Sequence, residues 1–263
     1  MKQLTRVLAV AGTKGKTTCV RALHYAINAA HTEPVLGVDT HRIMLGNDVY
    51  MSKEEYTELF GLGTAVTPGK TLLALRGQAQ PVAVLEASFS TWQRGLGYHS
   101  HEIGIFTNVF DDHIKPDEAI SNREQLAAAK ASYILKHIGV QGSAIYNADN
   151  DLIPEYLGVI PADRNITTIA CTLDSTRECA ADYVATVQDE KIVIKDRNGN
   201  VAYATEFMHM PWLHGGNHQP SLYNGMFVVS ALWRFFKDDT TKFEAALAAL
   251  GSYVPDADGG RMV

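Results

Sequence analysis

The sequence lacks the features that mark secreted or membrane-spanning proteins. Its 263 residues include only three cysteines, Cys19, Cys171 and Cys179. These do not have metal-ligand spacing, and their odd number argues against a disulfide framework. The apolar run at residues 7–11 is too short for a signal sequence and far too short to cross a bilayer. We therefore expect a cytoplasmic protein with no membrane partner.

The sequence also lacks an excess of positive charge, internal repeats and low-complexity tracts. It has 23 lysines and arginines against 29 aspartates and glutamates, for a formal net charge of −6. Such a chain has no broad basic surface for a nucleic-acid backbone, so nucleic acid is not expected as a partner. A local basic pocket for a small anion is compatible with this charge. With 46% hydrophobic residues, the chain can bury a sizeable core.

Short apolar runs alternate with helical patterns through the first two thirds of the chain. The runs RVLAVAG, PVAVLEAS, EIGIFTNV and GSAIYNAD are typical of buried strands. Between them, KTTCVRALHYAINAA and SNREQLAAAKASYILKHI have apolar residues at helical spacing. Ser121 with Glu124 three residues later is a capping-box signature, which places the start of the second helix there. The alternation predicts an α/β fold with a mostly parallel sheet covered by helices on both faces.

The last third of the chain has a different pattern. YVATVQ, KIVIKD and VAYATEF alternate apolar and polar residues, and the Asn-Gly in the RNGN between the last two is a strong hairpin signal. We therefore expect a small antiparallel β patch beside the parallel sheet. Two helices, at about residues 220–236 and 240–250, should follow. The final VPDADGGRMV has the composition of a domain boundary.

The stretch between the first strand and the first helix is rich in glycine, lysine and threonine. Glycines in this position let backbone N–H groups close around a phosphate at a helix N-terminus, where a lysine neutralises charge and a hydroxyl meets Mg²⁺. The generic P-loop pattern needs a glycine at position 10, where Val10 stands, and an accidental Gly/Lys-rich turn is the alternative. We predict a nucleotide-phosphate loop in a P-loop-type fold. Its members are Gly12, Thr13, Lys14, Gly15, Lys16, Thr17 and Thr18.

Two further strands end in polar residues. Glu86 ends an apolar strand, and Asp111, Asp112 and His113 follow another. In open α/β sheets, ligands bind at the carboxyl ends of strands, so these residues could face the phosphate loop and hold a hard cation. A capping or surface-paired glutamate and a polar turn are equally consistent with these two segments taken alone.

Lys130 lies in the apolar stripe of the helix that follows. It shares helical spacing with Leu126, Tyr133, Ile134 and His137, a costly position for an ammonium group unless it is paired or neutralised. Burial lowers the pKa of a lysine, and a neutral amine can take up carbon dioxide to form a carbamate. From this helix alone, a lysine that reaches past its neighbours to water is the simpler interpretation.

Taken in order, these segments resemble the central ATP-binding domain of the Mur ligase superfamily, whose members form amide bonds. The resemblance covers about residues 6–261 and rests on GTKGKTT, VLEAS, TNVFDDHI, EQLAAAKASYIL, AIYNADND and YNGMFVVSAL. Any one motif is weak evidence, whereas all of them in the right order are specific. AVLEASFSTWQRGLGYHSHEIGIFTNV is most similar to the cyanophycin synthetase branch.

The resemblance implies ATP and Mg²⁺ as cofactors and gives roles to particular residues. Lys16 and the loop amides would bind the β- and γ-phosphates. Thr17 and Glu86 would hold one Mg²⁺, and His113 with a carbamylated Lys130 would hold a second near the acyl group. Lys16, His113 and Lys130 would thus form the catalytic set.

Further roles, and some departures from the family pattern, follow from the same resemblance. Asn108 would lie close to the acyl substrate, Asn224 would contact adenine, and Arg261 would approach the phosphates. Lys14 stands where the family loop usually has asparagine. The family's Gly-His-Asn-x-x-Asn run is stretched to GGNHQPSLYN, so no base contact is assigned to Asn217 or His218.

The resemblance also implies a domain organisation. Residues 1–260 would form the Mur-ligase-like central domain, and residues 261–263 would begin the linker to a C-terminal domain that binds the amine. The chain would then be an excised core, or a free-standing one that works with a separate C-terminal domain or partner subunit.

The leading functional prediction is the core of an ATP-dependent ligase that acts through an acyl-phosphate on an amino-acid or peptide substrate. A nucleotide-binding interaction module without ligase activity is the alternative. A P-loop kinase is less consistent with the sequence, because it would not explain Lys130.

Overall fold

The computed structural model describes residues 6–60, 82–88, 91–92, 95–111, 114 and 120–255. Its strands form a single mixed sheet in the order β11-β10-β9-β8-β7-β6-β1-β5-β2-β3-β4. The strands are β1 Arg6–Ala11, β2 Leu36–Val38, β3 Arg42–Leu45, β4 Asp48–Ser52, β5 Val82–Glu86, β6 His101–Phe106, β7 Ile138–Asn147, β8 Thr167–Cys171, β9 Tyr183–Gln188, β10 Lys191–Asp196 and β11 Val201–Glu206.

The centre of the sheet, from β2 through β5, β1, β6, β7 and β8 to β9, is parallel. Beyond β9, the strands β10 and β11 are antiparallel. The predicted parallel sheet with an antiparallel patch in the last third is therefore confirmed. The opposite edge is antiparallel as well, because β3 and β4 add a hairpin to β2. Its turn contains Gly46 with a φ of 62°. The Gly-Asn pair at 46–47 is a hairpin signal, but this hairpin was not among the predicted elements.

Both outermost described strands pair irregularly with their neighbours. The β3–β4 register shifts between Ile43 and Met44, so that the pairing skips Tyr50 of β4. The β10–β11 register shifts between Ile194 and Lys195, so that the pairing skips Ala202 of β11. Each outer strand therefore carries a bulge, a feature that bends a strand and increases its twist.

Helices cover both faces of the sheet, as the sequence predicts. The helices are α1 Lys16–Ala30, α2 Lys53–Phe60, α3 Arg123–Ile134, α4 Gln219–Phe235 and α5 Thr240–Ser252. The apolar core has one part on each face of the sheet. Strand β1 contributes to both parts, because its side chains alternate between faces. Leu8 and Val10 pack with residues of α1, α4 and α5, whereas Ala9 and Ala11 pack with residues of α3. Within the described ranges, no helix has the length and apolar character needed to cross a membrane.

The start of α3 differs by one residue from the prediction. The capping residue is Asn122, not Ser121, and its side chain accepts a hydrogen bond from the backbone N–H of Gln125. The side chain of Gln125 in turn accepts from the backbone N–H of Ser121 at 2.8 Å. Asparagine and serine are about equally good caps, so the sequence alone did not choose between adjacent positions.

A buried histidine joins β6 to the end of α3. His101 is 1% exposed, and its Nε2 lies 2.7 Å from the carbonyl oxygen of Ile134. Burial lowers the pKa of His101 to about 4 from 6.5, with a smaller contribution from the charge of His137, while the carbonyl contact opposes the shift. The folded protein therefore favours the neutral ring.

We expect His101 to make the free energy of unfolding depend on pH. Its folded pKa lies below its unfolded one, so its stabilisation is complete above about pH 6.5 and is lost as the pH falls towards 4. The loss amounts to about 3 kcal/mol at 1.36 kcal/mol per pKa unit. Urea unfolding at several pH values should show this fall, and His101→Gln should flatten the profile. Equal slopes for the two proteins would contradict the prediction.

Candidate functional site

The segment between β1 and α1 forms a tight glycine loop. Gly12 and Gly15 have φ values of 145° and 81°, which side-chain-bearing residues rarely adopt. A Cβ on Gly12 would lie 2.0 Å from Oγ1 of Thr107, and one on Gly15 would lie 2.5 Å from Oδ1 of Asn224. Gly15 is also the N-cap of α1 and has no side chain to cap it. The first N–H groups of a helix have no intrahelical acceptor, so this helix end can bind an anion.

Glu86 lies beside this loop with its carboxylate buried, at 3% exposure. Its Oε2 accepts a hydrogen bond from the Thr17 hydroxyl at 2.8 Å. Its Oε1 lies 3.7 Å from Nζ of Lys16, and Lys16 also donates to the carbonyl of Thr13. The structure therefore brings the predicted loop residues Lys16 and Thr17 together with Glu86 from a different strand, so that an ammonium, a hydroxyl and a carboxylate lie at one helix end.

Thr40, which was not among the predicted site residues, belongs to the same cluster. Its hydroxyl donates to Oε1 of Glu86 at 2.6 Å, and its backbone N–H donates to Oε2 at 3.3 Å. A buried ion pair between Arg21 and Asp39 holds the neighbouring turn, with 2.6 Å between Nε and Oδ2. Thr40 follows the carboxyl end of β2, beside β5 in the parallel sheet, and no strand was predicted there from the sequence.

Lys130 lies beneath the glycine loop. It is 2% exposed, and its Nζ donates to the carbonyl of Gly12 at 2.9 Å. The lysine therefore does not reach past its neighbours to water, although that was the simpler interpretation of this helix taken alone. Tyr133, one turn later, is buried too, and burial together with the negative charge of Glu86 raises its pKa. Lys130 and Tyr133 thus extend the polar cluster below the loop.

Asn108 bonds to the loop, and Asn224 lies beside Gly15 and the first turn of α1. The amide oxygen of Asn108 accepts from the backbone N–H of Lys14 at 2.8 Å. The amide oxygen of Asn224 accepts from the Cys19 thiol at 3.4 Å. Burial, and secondarily the charge of Glu86, raises the pKa of Cys19, so this sulfur stays a protonated donor.

The remaining candidate residues fall into two groups: those that the structure describes and those that lie outside the described residues. Thr13 is buried, Thr18 is half-buried and Lys14 is exposed. Asn217 is exposed, and His218 contacts Ser221 at the start of α4. Asp111 is exposed and lies 3.9 Å from Arg123. Asp112, His113 and Arg261 lie outside the described residues.

The described part of the chain contains no group of three or more His, Cys, Asp and Glu side chains arranged to hold a metal ion. Glu86 is the carboxylate that the described site offers, with the Thr17 and Thr40 hydroxyls beside it. Oxygen donors of this kind suit a hard cation such as Mg²⁺, which usually keeps several waters and takes its other ligands from phosphates.

Comparison with known proteins identifies the family and the fold of the chain. The family model described as Mur ligase middle domain matches residues 10–211. The cyanophycin synthetase of Geminocystis herdmanii (strain PCC 6308) is 33% identical over 151 residues, which are 57% of this chain and 16% of that protein. The cyanophycin synthetase of Synechocystis sp. (strain ATCC 27184 / PCC 6803 / Kazusa) is 30% identical over 148 residues, 56% of this chain and 16% of that protein. The chain thus spans about a sixth of these relatives.

Solved structures show the same fold. UDP-N-acetylmuramoyl-L-alanyl-D-glutamate–2,6-diaminopimelate ligase superposes with a TM-score of 0.66 at 20% identity, covering 99% of this chain and 48% of that one. Folylpolyglutamate synthase of Mycobacterium tuberculosis, complexed with ADP and AMPPCP, superposes with a TM-score of 0.64 at 14% identity, covering 97% of this chain and 60% of that one.

Proposed function

The chain belongs to the Mur ligase middle-domain family, and from this premise we propose that it provides the ATP site of an enzyme that joins a carboxylate to an amine. One observation carries the proposal. The open N-terminus of α1, the Lys16 ammonium and the Thr17–Glu86 pair converge beside one glycine loop. Such a site suits a magnesium-bound polyphosphate.

In the proposed reaction, a carboxylate oxygen of the acyl substrate attacks the γ-phosphorus of ATP. The bond between that phosphorus and the bridging oxygen breaks, which leaves an acyl-phosphate and ADP. An amine then attacks the acyl carbon, loses a proton and expels inorganic phosphate to form the amide. In such a transfer the protein mainly positions the reactants and stabilises charge.

The described residues fit a nucleotide and a magnesium ion. The N–H groups of α1 and the Lys16 ammonium would hold the phosphates, and Thr17 with Glu86 would hold Mg²⁺. When bound, the ion would neutralise charge on the phosphate oxygens and orient them. Lys16 would balance the negative charge that develops as the phosphoryl group moves.

The other roles rest on the family resemblance together with burial and position. Lys130, which is buried beneath the loop, would serve as a carbamate and hold a second Mg²⁺ together with His113. Asn108 would approach the acyl substrate, Asn224 the adenine, and Arg261 the phosphates.

We further propose that the substrates are amino acids or peptides, since the relatives include a diaminopimelate ligase and a folylpolyglutamate synthase.

Residues 1–260 would form the ATP-binding domain. Residues 261–263 would lead towards a C-terminal domain, or a partner subunit would supply the amine site. The scattered cysteines and the use of ATP are consistent with a cytoplasmic location.

An ADP-release assay over a panel of amino acids and dipeptides tests the proposal. It should be run with the 263-residue chain alone and with a candidate C-terminal domain or partner subunit added. Calorimetric titration with MgADP should accompany the assay, with an EDTA-treated sample as the control. We expect magnesium-dependent ADP binding, and ADP release that requires both an acyl substrate and an amine. Failure to bind MgADP would overturn the proposal. Binding without ADP release under any of these conditions would favour a nucleotide-binding interaction module.

A further inference from the structure

The end of β6 is bonded to the glycine loop through both backbone and side chains. Resting on the proposed function, we propose that Thr107 and Asn108 are positioning residues that hold the phosphate loop in its anion-binding shape before nucleotide arrives. Both follow the last residue of β6, Phe106, and β6 is the neighbour of β1 in the sheet. The loop and the residues that hold it are thus extensions of adjacent parallel strands.

The Asn108 side chain bonds to consecutive peptide groups of the loop. Its Oδ1 accepts from the backbone N–H of Thr13 at 3.2 Å and of Lys14 at 2.8 Å. Its Nδ2 donates to the carbonyl of Lys14 at 3.1 Å. The amide therefore acts as both acceptor and donor towards the loop, and it keeps one N–H for the acyl-substrate role proposed above.

Thr107 holds the same part of the loop from a fully buried position, at 0% exposure. Its hydroxyl donates to the carbonyl of Lys14 at 2.7 Å. The same oxygen occupies the space that a Cβ on Gly12 would need. The loop can therefore pack against β6 only with a glycine at position 12.

These contacts determine which loop amides are left for phosphate. The N–H groups of Thr13 and Lys14 point to Asn108, so they are not directed at a ligand. The first hydrogen bond of α1 runs from the Cys19 N–H to the Gly15 carbonyl. The N–H groups of residues 15–18 consequently precede the helical ladder and can be presented to an anion.

The holding segment is itself fixed on its far side. The carbonyl of Val109 accepts from Nη2 of Arg123 at 3.0 Å and from Nδ2 of Asn150 at 3.3 Å. The backbone N–H of Phe110 donates back to the Thr13 hydroxyl at 3.0 Å. The loop is thereby tied to α3, the helix that carries Lys130, and to the turn after β7. A preorganised loop loses less conformational entropy when it binds nucleotide.

A matched pair of substitutions at Thr107 tests the proposal. Thr107→Val keeps the shape but removes the hydroxyl, whereas Thr107→Ser keeps the hydroxyl and loses a methyl group. Calorimetry should measure the affinity for MgADP and for magnesium pyrophosphate, and thermal unfolding without ligand should report on the fold. We expect the valine variant to bind both probes roughly tenfold more weakly, the effect of about one hydrogen bond. The serine variant should bind both like the wild type.

The outcomes separate this proposal from the proposed function. If wild-type protein does not bind MgADP, the proposed function fails. If wild type binds and the valine variant binds equally well, only the positioning role is overturned. If serine weakens binding as much as valine, the effect comes from packing, and the positioning role is again overturned. Should Thr107→Val not fold, Asn108→Ala at the half-buried neighbour provides the same measurement, and unchanged affinity there would also overturn the proposal.

Discussion

Replacing Lys16 with alanine should abolish the thermal stabilisation that MgADP gives to this protein. A ligand that binds only the folded state adds about 2.7 kcal/mol to the free energy of unfolding at one hundred times its Kd. The Lys16 ammonium lies 3.7 Å from Glu86, and 16% of its side chain is exposed. Without it, the phosphates would meet the Glu86 carboxylate without the Lys16 ammonium that lies beside it. We expect no rise in Tm for the variant at nucleotide concentrations that shift the wild type by several degrees.

The exposed Lys136 supplies the control for that experiment. Lys136→Ala removes the same charge from a surface position and should keep the full shift in Tm. An undiminished MgADP shift in Lys16→Ala would remove the phosphate-loop assignment. A lower Tm for Lys16→Ala without nucleotide would not affect this test, because the measured quantity is the difference that nucleotide makes within each variant.

Replacing Lys130 with methionine should nearly abolish ligation while leaving a folded protein that binds MgADP. Methionine has a similar length but cannot form a carbamate or carry charge. The substitution leaves the Gly12 carbonyl without the Lys130 donor, at a cost of about 1–3 kcal/mol in the free energy of unfolding. Loss of a group that stabilises the transition state lowers kcat on the order of 10²- to 10³-fold. ADP release in the complete ligase system is the measurement, with Lys136→Ala as the matched control.

A chemical rescue distinguishes the carbamate role from a structural one. Lys130→Ala leaves a cavity that a short carboxylate such as acetate can enter, which replaces the missing oxygens. We expect acetate to restore part of the ADP release in Lys130→Ala and none in Lys130→Met, where the side chain fills the space. Full ligation by Lys130→Met would contradict the metal-binding role.

The sequence predicted the parts of this fold that depend on local patterns. The glycine loop and α1 follow each other directly in the chain, so glycine content and apolar spacing were sufficient to find them. Thr40 gave no such signal, because its contact with Glu86 joins residues 46 positions apart. That contact forms because β2 lies next to β5 in the sheet. Thr107 was noticed only as the first residue of TNVFDDHI and was given no role of its own, because its importance depends on the space beside Gly12. Contacts across the carboxyl ends of neighbouring strands become apparent only when the strand order is known.

The bulges at Tyr50 and Ala202 bear on how the protein behaves at high concentration. Within the described residues, β4 and β11 are the outermost strands, so a second copy would extend that sheet by pairing with one of them. An incoming strand needs a long, regular row of N–H and carbonyl groups for that purpose. The bulges interrupt that row on the outer strand itself and twist it away from a flat approach. Edge-to-edge association, and the aggregation that follows from it, is therefore disfavoured at both ends of the sheet.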